Sequence, residues 1–352
     1  MILMYKFVDI SGFGHSGKGV ITDLLNEFDG YQVPHHNFEF NLLRIQGGLL
    51  DLCTALHDDW SPIRSDAAIR RFRKVVLRLG TSAKLTRPYS MFIANGMNYE
   101  HYFNENFFRL SDQYVKSLIK YSYEGFWPYP IVDEASIIQF YQRVVANIFG
   151  KKQFNQTVYM TAPDNFLQLT QKYFNDLFTC ISNKDTRVFV MNNAIEPFNP
   201  TRGLNLFEDA RSIIVQRDPR DIYASIFVKS DVFIPEYEKK HFWKMKCSFL
   251  NTDDIQNFIE RQKLQFSKIK LTVDDHRILR LRFEDIVLKY EETIANILNF
   301  LGEAPSIHVR KKKFFDPEKS IKNIGIWKQM KGKDENAIRL IDEELAYLCY
   351  YD

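Results

Sequence analysis

Two stretches of this chain carry residue types at spacings suited to holding phosphate. The first is Gly12-Phe13-Gly14-His15-Ser16-Gly17-Lys18-Gly19, which satisfies G-x-x-x-x-G-K. Glycines in such a loop let backbone N–H groups turn inward around an anion, and Lys18 adds a full positive charge. ATP- and GTP-hydrolysing loops follow the lysine with a hydroxyl that holds magnesium. Here that position is Gly19, followed by Val20. The pattern therefore points to a nucleotide used without a metal ion. The second stretch, residues 212–225, reads SIIVQRDPRDIYAS. A buried strand ends at Arg217, Asp218 suits a helix cap, and Pro219 suits a first helical position because its missing N–H is not needed there. Arg217 and Ser225 can then face one anion. A salt-bridged strand–helix corner built on Arg220 and Asp221 is the competing reading.

The elements that must position these residues follow from hydrophobic patterning. Tyr5–Ile10 reads as a buried strand and Val20–Glu27 as the helix after the loop, the opening of an α/β fold. Helical spacing recurs over Leu49–Leu56, Ser65–Leu79, Asn104–Tyr121 and Ile137–Phe149, with few strand signals. Residues from about 40 to 150 are thus expected to form a mostly helical insertion. Thr157–Met160, Arg187–Met191, Ser212–Gln216 and Arg277–Phe283 read as further strands. Helices are expected over Asp164–Ile181, Arg220–Phe227, Thr252–Leu271, Glu291–Leu301 (ended by Gly302) and Asp334–Leu348. Apolar strands alternating with helices predict a parallel sheet covered on both faces, with ligands at the carboxyl ends of its strands.

Composition narrows the partners. Lys and Arg number 47 against 44 Asp and Glu, for a net charge of +3, so nothing demands nucleic acid. One dense basic run, Arg310-Lys311-Lys312-Lys313, is read as a solvated face with an anion role kept open. Four cysteines at 53, 180, 247 and 349 have neither zinc-site nor disulfide-framework spacing, which fits a reducing cytosol. No leader-like start and no apolar run of about 20 residues is found, so a soluble cytoplasmic protein without a transmembrane segment is expected. The 30 Phe and 18 Tyr are read chiefly as core packing.

With its strand-R-D-P-R-D-x-Y-x-S order, the second stretch resembles the 3′-phosphate motif of sulfotransferases that use 3′-phosphoadenosine 5′-phosphosulfate (PAPS). Gly14-His15-Ser16-Gly17 is similar to that family's 5′-phosphosulfate loop, and Ser320–Lys328 to its late R-K-G-x-x-G-x-W-K loop. The resemblance implies a three-layer α/β fold, a P-loop-containing parallel sheet flanked by helices, in a single domain over residues 1–352 with the helical insertion inside it. It also implies PAPS as donor, adenosine 3′,5′-bisphosphate as product and no required metal. Arg217 and Ser225 would bind the 3′-phosphate. Loop residues Gly14, His15, Ser16, Gly17, Lys18, Gly19 and Val20 would line the 5′ side, and Ser320, Asn323, Gly325 and Trp327 would close over the nucleotide. Three departures stand out. His15 occupies the place of the family's Lys or Arg, Lys18 that of its Thr, and Ser320 and Ile321 replace the late Arg and Lys, for which Lys319 and Lys322 can compensate.

Sulfuryl transfer to a hydroxyl or amine needs charge stabilisation on the leaving phosphate and a base. Lys18 and His15 are the candidates for the first, and Glu39, His35 and His36 for the second. A glycan or glycoconjugate is the expected acceptor, with a lipid-linked glycan or a small metabolite as variants. Two other readings stand beside this one: a P-loop kinase or NTPase resting on Gly17-Lys18, and a nucleotide-binding module without activity.

Overall fold

The computed structural model describes residues 5–33, 38–83, 89–94, 96–129, 136–149, 155–161, 164–228, 255–269, 274–330 and 334–351. The chain divides into two compact units, residues 1–40 with 182–352, and residues 41–181. Among the described residues, seven strands form two sheets: β1 (Lys6–Gly12), β2 (Tyr31–Gln32), β3 (Ile119–Phe126), β4 (Asn155–Thr161), β5 (Val188–Asn192), β6 (Ala210–Gln216) and β7 (Ile278–Arg282).

The first unit holds a five-stranded sheet in the order β2-β5-β1-β6-β7, parallel at every pairing. This is the predicted α/β class, a central parallel sheet flanked by helices. Residue alternation along β1 shows why it is central. Val8 and Ile10 enter a core with Ile21 and Leu24 of the helix Gly19–Leu25 and with Ile297 of the helix Tyr290–Leu301. Phe7 turns to the other face and packs on Phe189 and Phe207. Each such fully buried side chain is worth about 1.5–3 kcal/mol. Asp9 and Ser11 share the Phe7 face by the same period of two, and both are fully buried. The chain leaves β1 toward β5 and β2, and leaves β6 toward β7. The carboxyl ends of β1 and β6 therefore flank a topological switch point, where open α/β sheets place ligands.

Expected and observed elements of this unit agree in type, with boundary shifts of a few residues. The helix Tyr290–Leu301 stops at Gly302, whose φ of 70° is the left-handed conformation expected there. The basic run 310–313 is exposed, the solvated face read for it. Glu27, fully buried just past the helix Gly19–Leu25, accepts from His308 Nε2 at 2.7 Å and from the backbone N–H groups of Lys312, Phe314 and Phe315 at 2.8–3.1 Å. Residues 310–313 are thus tied to the end of that helix remote from the glycine loop.

The second unit is built on helices Pro62–Gly80, Phe107–Leu118 and Phe166–Thr179. Their shared interior is aromatic: Tyr114 and Tyr173 stack at 4.5 Å between centroids, and Phe72, Phe103 and Phe107 are fully buried. Two expectations need correction here. The helix predicted over Asn104–Tyr121 ends at Leu118, and Ile119–Phe126 is strand β3. Its alternating Tyr121 and Tyr123 suit a pleated surface better than a helix. The strand at Thr157–Met160 exists, but it pairs antiparallel with β3 and does not join the parallel sheet. Asp66 explains where this hairpin attaches. Its carboxylate accepts from the Tyr159 N–H at 2.9 Å and from Arg70 Nε at 2.8 Å.

Candidate active site

The glycine loop lies between β1 and the helix Gly19–Leu25, at the carboxyl edge of the sheet. Gly17 has φ of 80°, and a Cβ on it would sit 2.5 Å from the Phe283 ring at the end of β7. Only glycine permits this close approach. Ser16 is 1% exposed, and its hydroxyl has no partner among the described residues. Gly19 is the contrasting case. It is exposed, and a side chain there would meet nothing within 4 Å, so the absent hydroxyl is not a matter of space.

Lys18 and His15 turn to different neighbours. Lys18 Nζ donates to Asn192 Oδ1 at the end of β5. The next residue, Asn193, takes φ of 51° and donates from Nδ2 to Glu39 Oε1 at 2.6 Å. Two consecutive asparagines thus hold the candidate cation and one candidate base. His15, with φ of 62°, lies on the β6 side of the loop. Its Nδ1 is 3.0 Å from Ser225 Oγ. Glu39 is half-buried. His35 and His36 lie outside the described residues.

Below the loop, Asp9 accepts from the Ala194 N–H at 2.8 Å and pairs with Ser11 Oγ, which also lies 2.5 Å from the Ile195 carbonyl. One hydroxyl proton cannot serve both acceptors. Burial pushes the Asp9 carboxyl up to about 6, opposed by the Ser11 and Ala194 hydrogen bonds and by Lys18.

Arg217 follows β6 and is 6% exposed. Its Nη1 donates to the His15 carbonyl at 3.1 Å, its Nη2 to the Asn323 carbonyl, and its guanidinium lies over the Phe283 ring at 5.0 Å. Nε has no partner among the described residues. Burial pulls its pKa down, offset by Asp221, 4.0 Å away, and by Glu284 and Asp218. Pro219 opens the helix Pro219–Val228 as expected, and Asp218 accepts from the Arg220 N–H at 2.8 Å, the anticipated cap. Ser225, 6% exposed, lies on that helix.

The late loop reaches the same place through backbone. The Asp221 carboxylate accepts from the N–H groups of Gly325 at 2.8 Å and Trp327 at 3.1 Å. Gly325 has φ of 69°. Trp327 is half-buried, its ring under the Arg220 guanidinium at 4.5 Å. Ser320 and Asn323 are half-buried, and Lys322 is exposed. Lys319 is exposed too and pairs with Asp316 at 3.3 Å.

The structure thus brings the three motifs together: Arg217 touches the first loop and the late loop, and Ser225 touches His15. Sequence reasoning missed Asn192 and Asn193 as the residues that hold the others, and placed Asp221 only in a salt-bridged corner, not as the holder of the late loop. The Asn-Asn pair directly after the strand Arg187–Met191 was the available signal.

Comparison with known proteins adds a family match over part of the chain. Residues 134–305 match the model described as the sulfotransferase family, a stretch that contains Arg217 and Ser225 and excludes both the glycine loop and the late loop. No curated protein matches by sequence. Among solved structures, the chain is similar to the sulfotransferase STF9 from Mycobacterium avium at 13% identity and TM-score 0.38, over 98% of this chain and 76% of that one. It is also similar to the sulfotransferase domain of the Synechococcus PCC 7002 olefin synthase at 13% identity and TM-score 0.41, over 99% and 94%. The sulfotransferase domain from the curacin biosynthetic pathway stands at 12% identity and TM-score 0.38, over 99% and 100%. The fold class stands on the strand order itself, and residues 134–305 are similar to the sulfotransferase family.

Proposed function

We propose that the chain is a PAPS-dependent sulfotransferase that moves a sulfuryl group to a hydroxyl or amine of an acceptor. The observation that carries this reading is the Arg217 bridge, which joins the His15 carbonyl of the first loop to the Asn323 carbonyl of the late loop beside Ser225. A nucleotide with phosphates at both ends of its ribose needs two anion sites at one crevice. The loop 14–20 and the pair Arg217–Ser225 supply them, with Lys319, Ser320, Lys322, Asn323, Gly325 and Trp327 in the segment that closes over it.

In the proposed step an acceptor oxygen attacks sulfur in line. The bond from sulfur to the bridging phosphate oxygen breaks, and its electron pair stays on the phosphate. Lys18 and the loop N–H groups offset that charge. The acceptor proton goes to Glu39, which Asn193 orients; His35 and His36 are the other candidates. No metal is required by this scheme. A glycan or glycoconjugate, which includes lipid-linked glycans, is our proposed acceptor class, a small metabolite being the other candidate. Exposed rings at Tyr121, Tyr123 and Phe126 along β3 are surfaces on which sugar rings can stack. A cytoplasmic setting accords with Cys53, Cys180 and Cys349, which form no disulfide.

Calorimetric titration with adenosine 3′,5′-bisphosphate, adenosine 5′-phosphate and ATP with magnesium tests the donor. Preference for the bisphosphate is expected. Tight ATP binding indifferent to a 3′-phosphate would sink the reading in favour of an NTPase. Bisphosphate binding without transfer of labelled sulfate from PAPS to any glycan or small hydroxyl acceptor would indicate an inactive module.

A further inference from the structure

We infer that His15 is a ligand of the 3′-phosphate, a specificity-determining residue for the bisphosphate and not a stabiliser of the phosphosulfate bridge. The inference rests on the donor reading above and deepens it. His15 and Lys18 lie three residues apart in one loop, yet the strand order β5-β1-β6 separates their directions. Lys18 reaches Asn192 at the end of β5. His15 reaches the β6 side, where two different atoms meet the two residues of the second anion site: Nδ1 faces Ser225 Oγ at 3.0 Å, and the carbonyl accepts from Arg217 at 3.1 Å.

Backbone geometry supports the assignment. With φ of 62°, His15 is in the left-handed region, which non-glycine residues adopt at a cost and which histidine tolerates better than most. That conformation accompanies the turn of its ring toward Ser225. An imidazole N–H, a serine hydroxyl and a guanidinium together form a three-sided donor set for a tetrahedral anion. Ser225 and Arg217 are each 6% exposed, so the donors are held in a buried setting where an anion gains most from them. Lys18 alone is then left to face the bridging oxygen.

The test is a specificity ratio. Affinities for adenosine 3′,5′-bisphosphate and adenosine 5′-phosphate are measured by calorimetry on the full chain and on His15→Gly, His15→Asn and Ser225→Ala. His15→Gly should lose about tenfold in bisphosphate affinity and less than about twofold for the 5′-phosphate. His15→Asn should retain most of the ratio, because asparagine accepts the same φ and carries an amide donor. Equal weakening of both nucleotides in His15→Gly, or no change in either, overturns the inference. An independent readout needs no folded glycine variant. With ¹⁵N-labelled histidine, the His15 ring resonance should move with the bisphosphate and stay in place with the 5′-phosphate; movement with both also overturns it. A wild-type chain with no preference for the 3′-phosphate would instead remove the donor reading itself. Preference that persists unchanged in His15→Gly removes only the role of His15.

Discussion

Arg217 and Arg220 are three residues apart on either side of a strand–helix corner, equally buried at about one-twentieth exposure, and opposite in how they are satisfied. Arg220 is saturated with acids. It pairs with Asp218 through Nε and Nη2, reaches Asp342 at 2.7 Å and the Tyr350 carbonyl at 3.0 Å, and lies between the rings of Trp327 and Tyr351. Arg217 donates to two carbonyl oxygens and has its nearest carboxylate, that of Asp221, 4.0 Å away. A buried arginine closed by carboxylates is a structural tie. One held chiefly by carbonyls, with Nε unpartnered among the described residues and its carboxylate at 4.0 Å, keeps donor capacity that an incoming anion would meet.

The comparison breaks most readily at Arg220. Arg220→Ala leaves Asp218 buried without its partner and should cost about 3–5 kcal/mol of stability, measured by denaturant unfolding. Arg217→Lys should act on the other property. It keeps one charge but loses the fork, so bisphosphate affinity should fall about 10- to 100-fold by calorimetry, with a smaller shift in the unfolding midpoint than Arg220→Ala causes. If the two variants lose stability equally, the distinction between tie and anion site is wrong.

Asp9 extends the comparison to carboxylates, since it is fully buried, with Lys18 as a favourable charge. Its folded pKa of about 6 lies above the ordinary 3.8, so the native state binds more protons than the unfolded chain between those values. Stability should therefore decline as pH rises from about 4 through 6, by at most about 3 kcal/mol for this group. Asp9→Asn, which offers an amide donor to Ser11, should flatten that slope. An unchanged slope in pH-dependent unfolding would contradict the protonation account. Smaller again is Gly17→Ala, where φ of 80° and the Phe283 contact should cost about 2 kcal/mol. Gly19→Ser is the matching control; with nothing within 4 Å of its side chain, it should stay within about 0.5 kcal/mol of the parent.

What could be read from sequence follows from which signals are local. β1, the glycine loop and the helix after it were recoverable because apolar run, glycines and helical spacing occupy consecutive residues. The corner from Ser212 to Ser225 was recoverable because strand, proline and cap fall in order. β3 was not. Its first residues continue the apolar spacing of the preceding helix, and its partner strand lies beyond residue 150. The roles of Asn192, Asn193 and Asp221 arise from contacts across 104 to 174 residues of chain, which no local pattern encodes. The basic run is exposed, as read, but its tie to Glu27 was not legible for the same reason, because that acid is remote in sequence.

The grip of Asp221 on the late loop has a spectroscopic consequence. The Gly325 and Trp327 amides lie in turns, where such protons ordinarily exchange with solvent quickly, yet both are bonded to a buried carboxylate on another element. Their exchange rates are therefore set by how often that side chain lets go. Two peptide protons near the end of the chain become a clock for the opening of the corner at residues 217–221, readable without any ligand or label beyond deuterium.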